Sequence, residues 1–484
     1  MLGKIVPAVA LGGVALLWPE LSWRIGTLQL VTADVATLQN VTTFKEQQIK
    51  HQDILKNCED VVVLEDQGVA ILSCDPQRDA WNTVMGTFLD PTQPGAIFQW
   101  FYSDPDAYPQ PLLLDNFGTR GSVDFHPLGI EYHAESSTLL VVNHASSGPT
   151  IEVFDYVPWG GFGRASATHR ASVAHPAIWT PNSIHALNAT SFLVTNDHFF
   201  RARDNYLAHK VETYAALPGG SVVQVTIPST LPEPAATTDE SMESSSPAPL
   251  ALDPSTVTVT RVAANIPFAN GIAVLDAGRT LAVASTGARS VKLYNITTAA
   301  DSGAVSLNYK AEVRAPAMLD NLSVDSRGRL LAGGHARPGA LTATVAFRAR
   351  CLSLRAKAHA IAAAAEREVE KKLGDDVVQQ QDPMLMSDQE DIAAAVEKKT
   401  VEVVMTDAER GVLERCAVAY DDTPPSWVGE LVLVDDERGV PTGEWRELYV
   451  GSAFGSGTTA ARDVAAGVVL VVGLYEKGVL VAKE

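Results

Sequence analysis

Short apolar runs, some alternating with polar residues and some continuous, recur along the whole chain. They fall at 61–64, 69–73, 138–143, 151–156, 192–196 and 221–227, then at 271–275, 280–284, 291–296, 330–333, 430–434, 467–472 and 478–482. Gly, Asp and Asn separate them, which predicts buried or half-buried β-strands between tight turns. Related units return at spacings of roughly 50 to 90 residues, the period of loose sheet repeats rather than of a parallel βαβ fold. No Gly-x-Gly-x-x-Gly opens a helix, so nothing supports a nucleotide fold. Two stretches break the strand pattern. Residues 232–249, rich in Pro, Ser, Thr and Glu, read as a disordered surface loop. Residues 349–424 read as an insertion, with a helix expected over 355–373 and another over 392–399.

The polar residues at the strand starts carry the chemistry. Asn270 lies in Phe268-Ala269-Asn270-Gly271-Ile272. Asn182-Ser183-Ile184, Asp320-Asn321-Leu322 and Glu59-Asp60-Val61 open apolar segments in the same way. If the strands are radial, these starts converge on one axis. Amide oxygens mixed with a few carboxylates suit a hard cation such as calcium, which takes six to eight oxygen ligands.

Composition changes this picture modestly. The chain has 484 residues, 46% of them hydrophobic, and a formal charge of −20, which disfavours nucleic acid as a partner. Lys4 precedes an apolar run from Ile5 to Trp18, short for a membrane span and suited to a secretory signal or signal-anchor over residues 1–25. Membrane association through this segment is therefore expected, with the rest of the chain, 26–484, forming one domain. Sequons at Asn40, Asn188 and Asn295 accord with secretion. Cys58 and Cys74 flank an expected hairpin, and Cys351 and Cys416 bracket the insertion, so two disulfides are expected.

Other catalytic signatures are missing. Gly451-Ser452-Ala453-Phe454-Gly455 lacks the spacing of a nucleophile elbow, and Gly455-Ser456-Gly457-Thr458-Thr459 lacks the Lys of a phosphate loop; both read as turns. Candidate bases are His144, which follows the strand at 138–143, His198 in Asn196-Asp197-His198, His126 in Phe125-His126-Pro127, and His335 after Gly333-Gly334.

Together, Glu59-Asp60, Leu140-Val141-Val142-Asn143-His144, Thr195-Asn196-Asp197-His198, Phe268-Ala269-Asn270-Gly271-Ile272 and Asp320-Asn321-Leu322-Ser323-Val324-Asp325 resemble the serum paraoxonase/arylesterase family of calcium-dependent lactonases. The resemblance runs in pieces over about 58–335 and 429–484. It implies an all-β, six-bladed β-propeller with a central calcium site, to which the apolar run Ile5–Trp18 adds an expected N-terminal hydrophobic helix. It implies Glu59, Asn182, Asn270, Asp320 and Asn321 as ligands of a catalytic calcium, and Asp60 with the Ile130 carbonyl at a second, structural calcium. The third ligand of that second ion is Ser183 here rather than an aspartate, so the site loses a charge. The family's first dyad histidine is Leu128 here, with His126 two residues earlier on what period-two spacing makes the same face; His144 matches the second. The family's long-range disulfide has no counterpart, since Val481 stands near its place. The function implied is hydrolysis of a small-molecule lactone or aryl ester, with His144 as the base, His126 as the substitute for the missing dyad histidine, and Glu59 or Asp320 as the fallback. The alternative is a calcium-stabilised propeller that binds a ligand or protein without catalysis.

Overall fold

The computed structural model describes residues 20–118, 123–158, 165–231, 250–376, 404–435, 437 and 440–484. The expected signal segment up to residue 19, the loop 232–249 and the helix at 392–399 lie outside the described residues. Residues 20–32 are helical, and among the described residues no helix is long and apolar enough to cross a membrane.

The protein is a six-bladed β-propeller: six sheets of four or five strands follow one another along the chain, antiparallel except where Leu113–Asp115 joins Ser166–Val173 in parallel. Their innermost strands are Cys58–Leu64, Pro127–His133, Pro181–Asn188, Ala269–Leu275, Met318–Val324 and Gly457–Asp463. Each of these strands touches its neighbours, and the ring closes when the sixth meets the first. Closure is also made within blade 6, whose outer strand Glu46–Lys50 comes from early in the chain and pairs with Val479–Lys483. Six apolar clusters hold the ring, one between each pair of adjacent blades. A blade buried on both faces needs apolar residues at successive positions. That is why second strands such as Val69–Cys74 are buried throughout and read as continuous runs. Outer strands such as Thr258–Ile266 face water along most of their length.

Both disulfides are formed, Cys58–Cys74 and Cys351–Cys416. Cys58 and Cys74 are directly opposite each other across blade 1. Ala343–Asp422 forms a separate compact unit. Most of the helix Pro338–Asp376 falls in it, together with a second helix, Asp407–Ala419, that starts on a Thr406/Glu409 capping box. Gly455-Ser456-Gly457-Thr458-Thr459, read as a turn from its sequence, instead leads into the innermost strand of blade 6. Small residues are required there by close packing: a Cβ on the facing Gly333 would penetrate the Thr458 backbone. Glycine at such a site marks contact, not a turn.

Candidate functional site: a ring of bulged strands

All six innermost strands carry a register slip at the same level. It falls between Cys58 and Asp60, Pro127 and Ile130, Pro181 and Ile184, Ala269 and Ile272, Leu319 and Leu322, and Gly457 and Thr459. A β-bulge re-aims the extra side chain and breaks the ladder locally. The residues inside the six slips are Glu59, Leu128 with Gly129, Asn182 with Ser183, Asn270 with Gly271, Asp320 with Asn321, and Thr458. The polar residues expected just ahead of their strands therefore sit within them, at the bulges. Gly271 and Gly129 allow the inner strands to meet, because a Cβ on Gly271 would enter the backbone of Asn321 and Leu322, and one on Gly129 that of Asn182.

The five expected cation ligands come together, each 6% exposed or less. Asn321 Nδ2 donates to Glu59 Oε1 (2.8 Å) and Thr459 Oγ1 (3.0 Å). Asp320 Oδ2 accepts from His335 Nε2 at 2.9 Å. Four oxygens of this set have no hydrogen-bond partner although buried: Glu59 Oε2, Asn182 Oδ1, Asn270 Oδ1 and Asn321 Oδ1. Burial, then the neighbouring Asp60 and Asp320 carboxylates, push the Glu59 carboxyl well above its ordinary range, against Arg78 and the Asn321 amide. Orphaned acceptors with too much negative charge fit a hard divalent cation. Three of the five expected ligands are asparagines, and among the described residues no group of three or more His, Cys, Asp or Glu could hold a metal ion.

Asp60 differs. Its Oδ1 accepts from Val61 N and Thr459 Oγ1, and its Oδ2 from Ile130 N at 2.9 Å. Burial raises its carboxyl to about 6, against the Ile130, Thr459 and Val61 donors. Both oxygens thus accept from protein donors, and the third residue expected at the second calcium, Ser183, offers a hydroxyl where a carboxylate was expected.

Glu59, Asn182, Asn270 and Asp320 line a cavity of about 60 Å³, with Leu128, His209 and His335 also in its wall. The histidines are placed unequally. His335 lies against Asp320, and its Nδ1 is buried without a partner; Nε2 must carry the proton it gives to the carboxylate, leaving the Nδ1 lone pair free. His144 stands outside this cavity. Its Nε2 contacts the Pro181 carbonyl (2.6 Å) and its Nδ1 the Thr83 hydroxyl (2.5 Å). Burial lowers its basicity, opposed by the Pro181 carbonyl and Asp197. His126 precedes the strand Pro127–His133, so period-two spacing does not relate it to Leu128; its ring bonds Asp75 and the Pro91 carbonyl. His198 bonds Asp197 and Thr213. The bulges left no period signal in the sequence, and only the Gly-Gly before His335 hinted at tight packing there.

A family model described as Arylesterase matches residues 38–231, a span that takes in the bulged inner strands of blades 1 to 3. Serum paraoxonase/arylesterase 1 of Mus musculus is 33% identical over 139 residues, covering 28% of this chain and 37% of that protein. The Homo sapiens protein of the same name is 27% identical over 252 residues, covering 51% and 59%. The chain thus spans well under two thirds of the curated relatives it matches. A solved gluconolactonase of Xanthomonas campestris aligns over 92% of this chain and 97% of its own at 12% identity, with a TM-score of 0.38. Over its first three blades the chain is thus similar to the serum paraoxonase/arylesterase family.

Proposed function

We propose that the protein is a calcium-dependent hydrolase of small-molecule lactones or esters. The observation that carries this reading is the set of four buried, unpartnered oxygens on the bulges of blades 1, 3, 4 and 5. Glu59, Asn182, Asn270, Asp320 and Asn321 hold the ion, and Asn321 Nδ2 fixes the Glu59 carboxylate in place. When bound, calcium supplies the positive charge that polarises a carbonyl and stabilises an oxyanion. The chain's own part is proton transfer. His335 Nδ1 takes the proton of the attacking water, and Asp320 Oδ2 fixes the His335 tautomer and steadies the imidazolium that results. His144 holds the Pro181 carbonyl, immediately before Asn182, and so positions a ligand. Glu59 serves the cation rather than the proton. The two disulfides support an oxidising, extracytoplasmic compartment.

The test is turnover of γ- and δ-lactones and phenyl acetate with and without chelation. Chelation and Asp320→Ala are each expected to abolish activity. His335→Gln is expected to lower kcat by about 100-fold or more without changing calcium affinity, and His144→Gln to weaken calcium binding. Full turnover after exhaustive dialysis against EDTA removes the hypothesis. Calcium binding with no turnover on any substrate favours the non-catalytic alternative.

A further inference from the structure

The cradle cavity, about 60 Å³, takes a reacting carbonyl group and little else, so the body of any substrate lies beyond its walls. Lys210 and Tyr214 line both this cavity and a groove of about 930 Å³ that Trp23, Leu28, Val211 and Pro267 help to wall. Both residues belong to the helix Tyr206–Tyr214. The other cations of the groove are already paired: Arg24 and Arg314 with Glu20, and Lys292 with Glu312. Lys210 is the exception. Its Nζ donates to the Met85 carbonyl at 3.3 Å and lies 5.2 Å from the centre of the Tyr206 ring. Among the described residues no carboxylate pairs with it. Burial pulls its basicity below the ordinary lysine range. In a chain of net charge −20, a half-buried ammonium without a counter-ion is a costly feature.

The charges around the cavity indicate what completes it. Glu59 and Asp320 balance a divalent cation charge for charge. His335 keeps a free Nδ1 lone pair, and burial, then His198, holds the His209 ring down to about 4, so neither ring adds charge near neutral pH. Outside the wall, Asp60 and Arg78 act on Glu59 in opposite senses. One surplus positive charge therefore remains on the cation-loaded cavity, and it sits on Lys210. We propose that Lys210 is a specificity-determining residue that anchors substrates bearing a carboxylate, meeting that group where the substrate passes from the cradle cavity into the groove. Neutral lactones and esters remain substrates, while acid-bearing ones gain an ion pair. This role rests on the hydrolase reading and adds a substrate class to it. A charge-assisted hydrogen bond in such a half-buried site is worth about tenfold or more in affinity.

Lys210→Gln keeps a donor for the Met85 carbonyl but not the charge, and Lys210→Arg keeps both. The assay is the ratio of kcat/KM for γ-carboxy-γ-butyrolactone to that for its carboxamide, two lactones of one shape that differ in charge. Comparing the ratio across variants cancels intrinsic reactivity. The ratio is expected to fall about tenfold or more in Lys210→Gln and to be largely retained in Lys210→Arg; melting curves verify that each variant is folded. A ratio unchanged in Lys210→Gln overturns the proposal. Binding of the non-hydrolysable lactam counterparts, pyroglutamate and pyroglutamide, is measured alongside by calorimetry on the calcium-loaded protein. Wild type is expected to bind pyroglutamate about tenfold or more tightly than pyroglutamide, and Lys210→Gln to lose that preference. Equal binding of the two by wild type, or binding of neither, overturns the proposal. If neither lactone is turned over by any form, the hydrolase reading falls, and the pyroglutamate comparison still decides the role of Lys210.

Discussion

Replacing Asn270 by leucine is expected to change stability in opposite directions with and without calcium. Asn270 is 2% exposed, and its side-chain oxygen has no partner in the protein. A buried, unsatisfied acceptor costs about 1–3 kcal/mol. Leucine fills similar space without that oxygen, so in chelator Asn270→Leu should be more stable than wild type by about 1–3 kcal/mol, less any packing mismatch. In calcium the order reverses. An ion at a thousand times its dissociation constant stabilises the native state by about 4.1 kcal/mol. If loss of one ligand in five weakens binding a hundredfold, the variant keeps about 1.4 kcal/mol of that. The difference, about 2.7 kcal/mol, exceeds the gain in chelator over all but the top of its range of about 1–3 kcal/mol. Urea midpoints in the two conditions measure it, with an unchanged slope showing that the unfolding transition is the same. Equal destabilisation in both conditions would mean that Asn270 is only a bend residue, and would refute the cradle.

The carboxylates predict a matching pH dependence. Asp60 has a folded value of about 6 against an ordinary 3.8, so the native state binds the extra proton. Its contribution is fully present below about pH 4 and lost as pH rises through about 6. Chelated wild type should therefore lose stability relative to Asp60→Asn over that window, and the raised Glu59 carboxyl adds to the same slope. Calcium affinity should rise with pH as Glu59 gives up its proton, and a calcium titration at several pH values measures it. Gly271→Ala drives a methyl group into the Asn321–Leu322 backbone; destabilisation of about 1–3 kcal/mol and weakened calcium binding are expected in denaturation and calcium titrations. Removing Cys351–Cys416, which closes a separation of 65 residues, should destabilise the Ala343–Asp422 unit by about 4 kcal/mol while lactone turnover persists, read by hydrogen exchange and activity together.

The ring of buried polar side chains was legible because each short oxygen-bearing residue stood directly before an apolar run, and apolar runs are what a doubly covered blade requires. The bulges themselves were not legible. A single extra residue shifts the pleat without altering composition, so Leu128 and His126 looked like neighbours on one face when His126 is outside the strand. The sixth inner strand was hidden for a different reason. Its small residues satisfy crowding near the axis, and Gly-Ser-Gly-Thr-Thr carries the composition of a turn. The helix Tyr206–Tyr214, which roofs the cavity, did leave a trace. Asn205 caps it by accepting from the Ala208 amide, but the helix is short and shows no strong apolar stripe. The base was obscured because proximity to Asp320 depends on how two strands of blade 5 pair, which spacing alone does not report.

Blade 6 gives the site a property that no single blade has. The hydroxyls of Thr458 and Thr459 donate to the Glu59 carbonyl at 2.6 and 3.0 Å, across a sequence separation of 399 and 400 residues. Glu59 is thus braced by the last inner strand, and that strand's sheet is finished by Glu46–Lys50 from the other end of the propeller. An incompletely wound chain has the asparagines but not the brace. Under the proposed calcium reading, cation uptake is therefore expected to report ring closure, and a propeller nicked before blade 6 is expected to bind the ion more weakly.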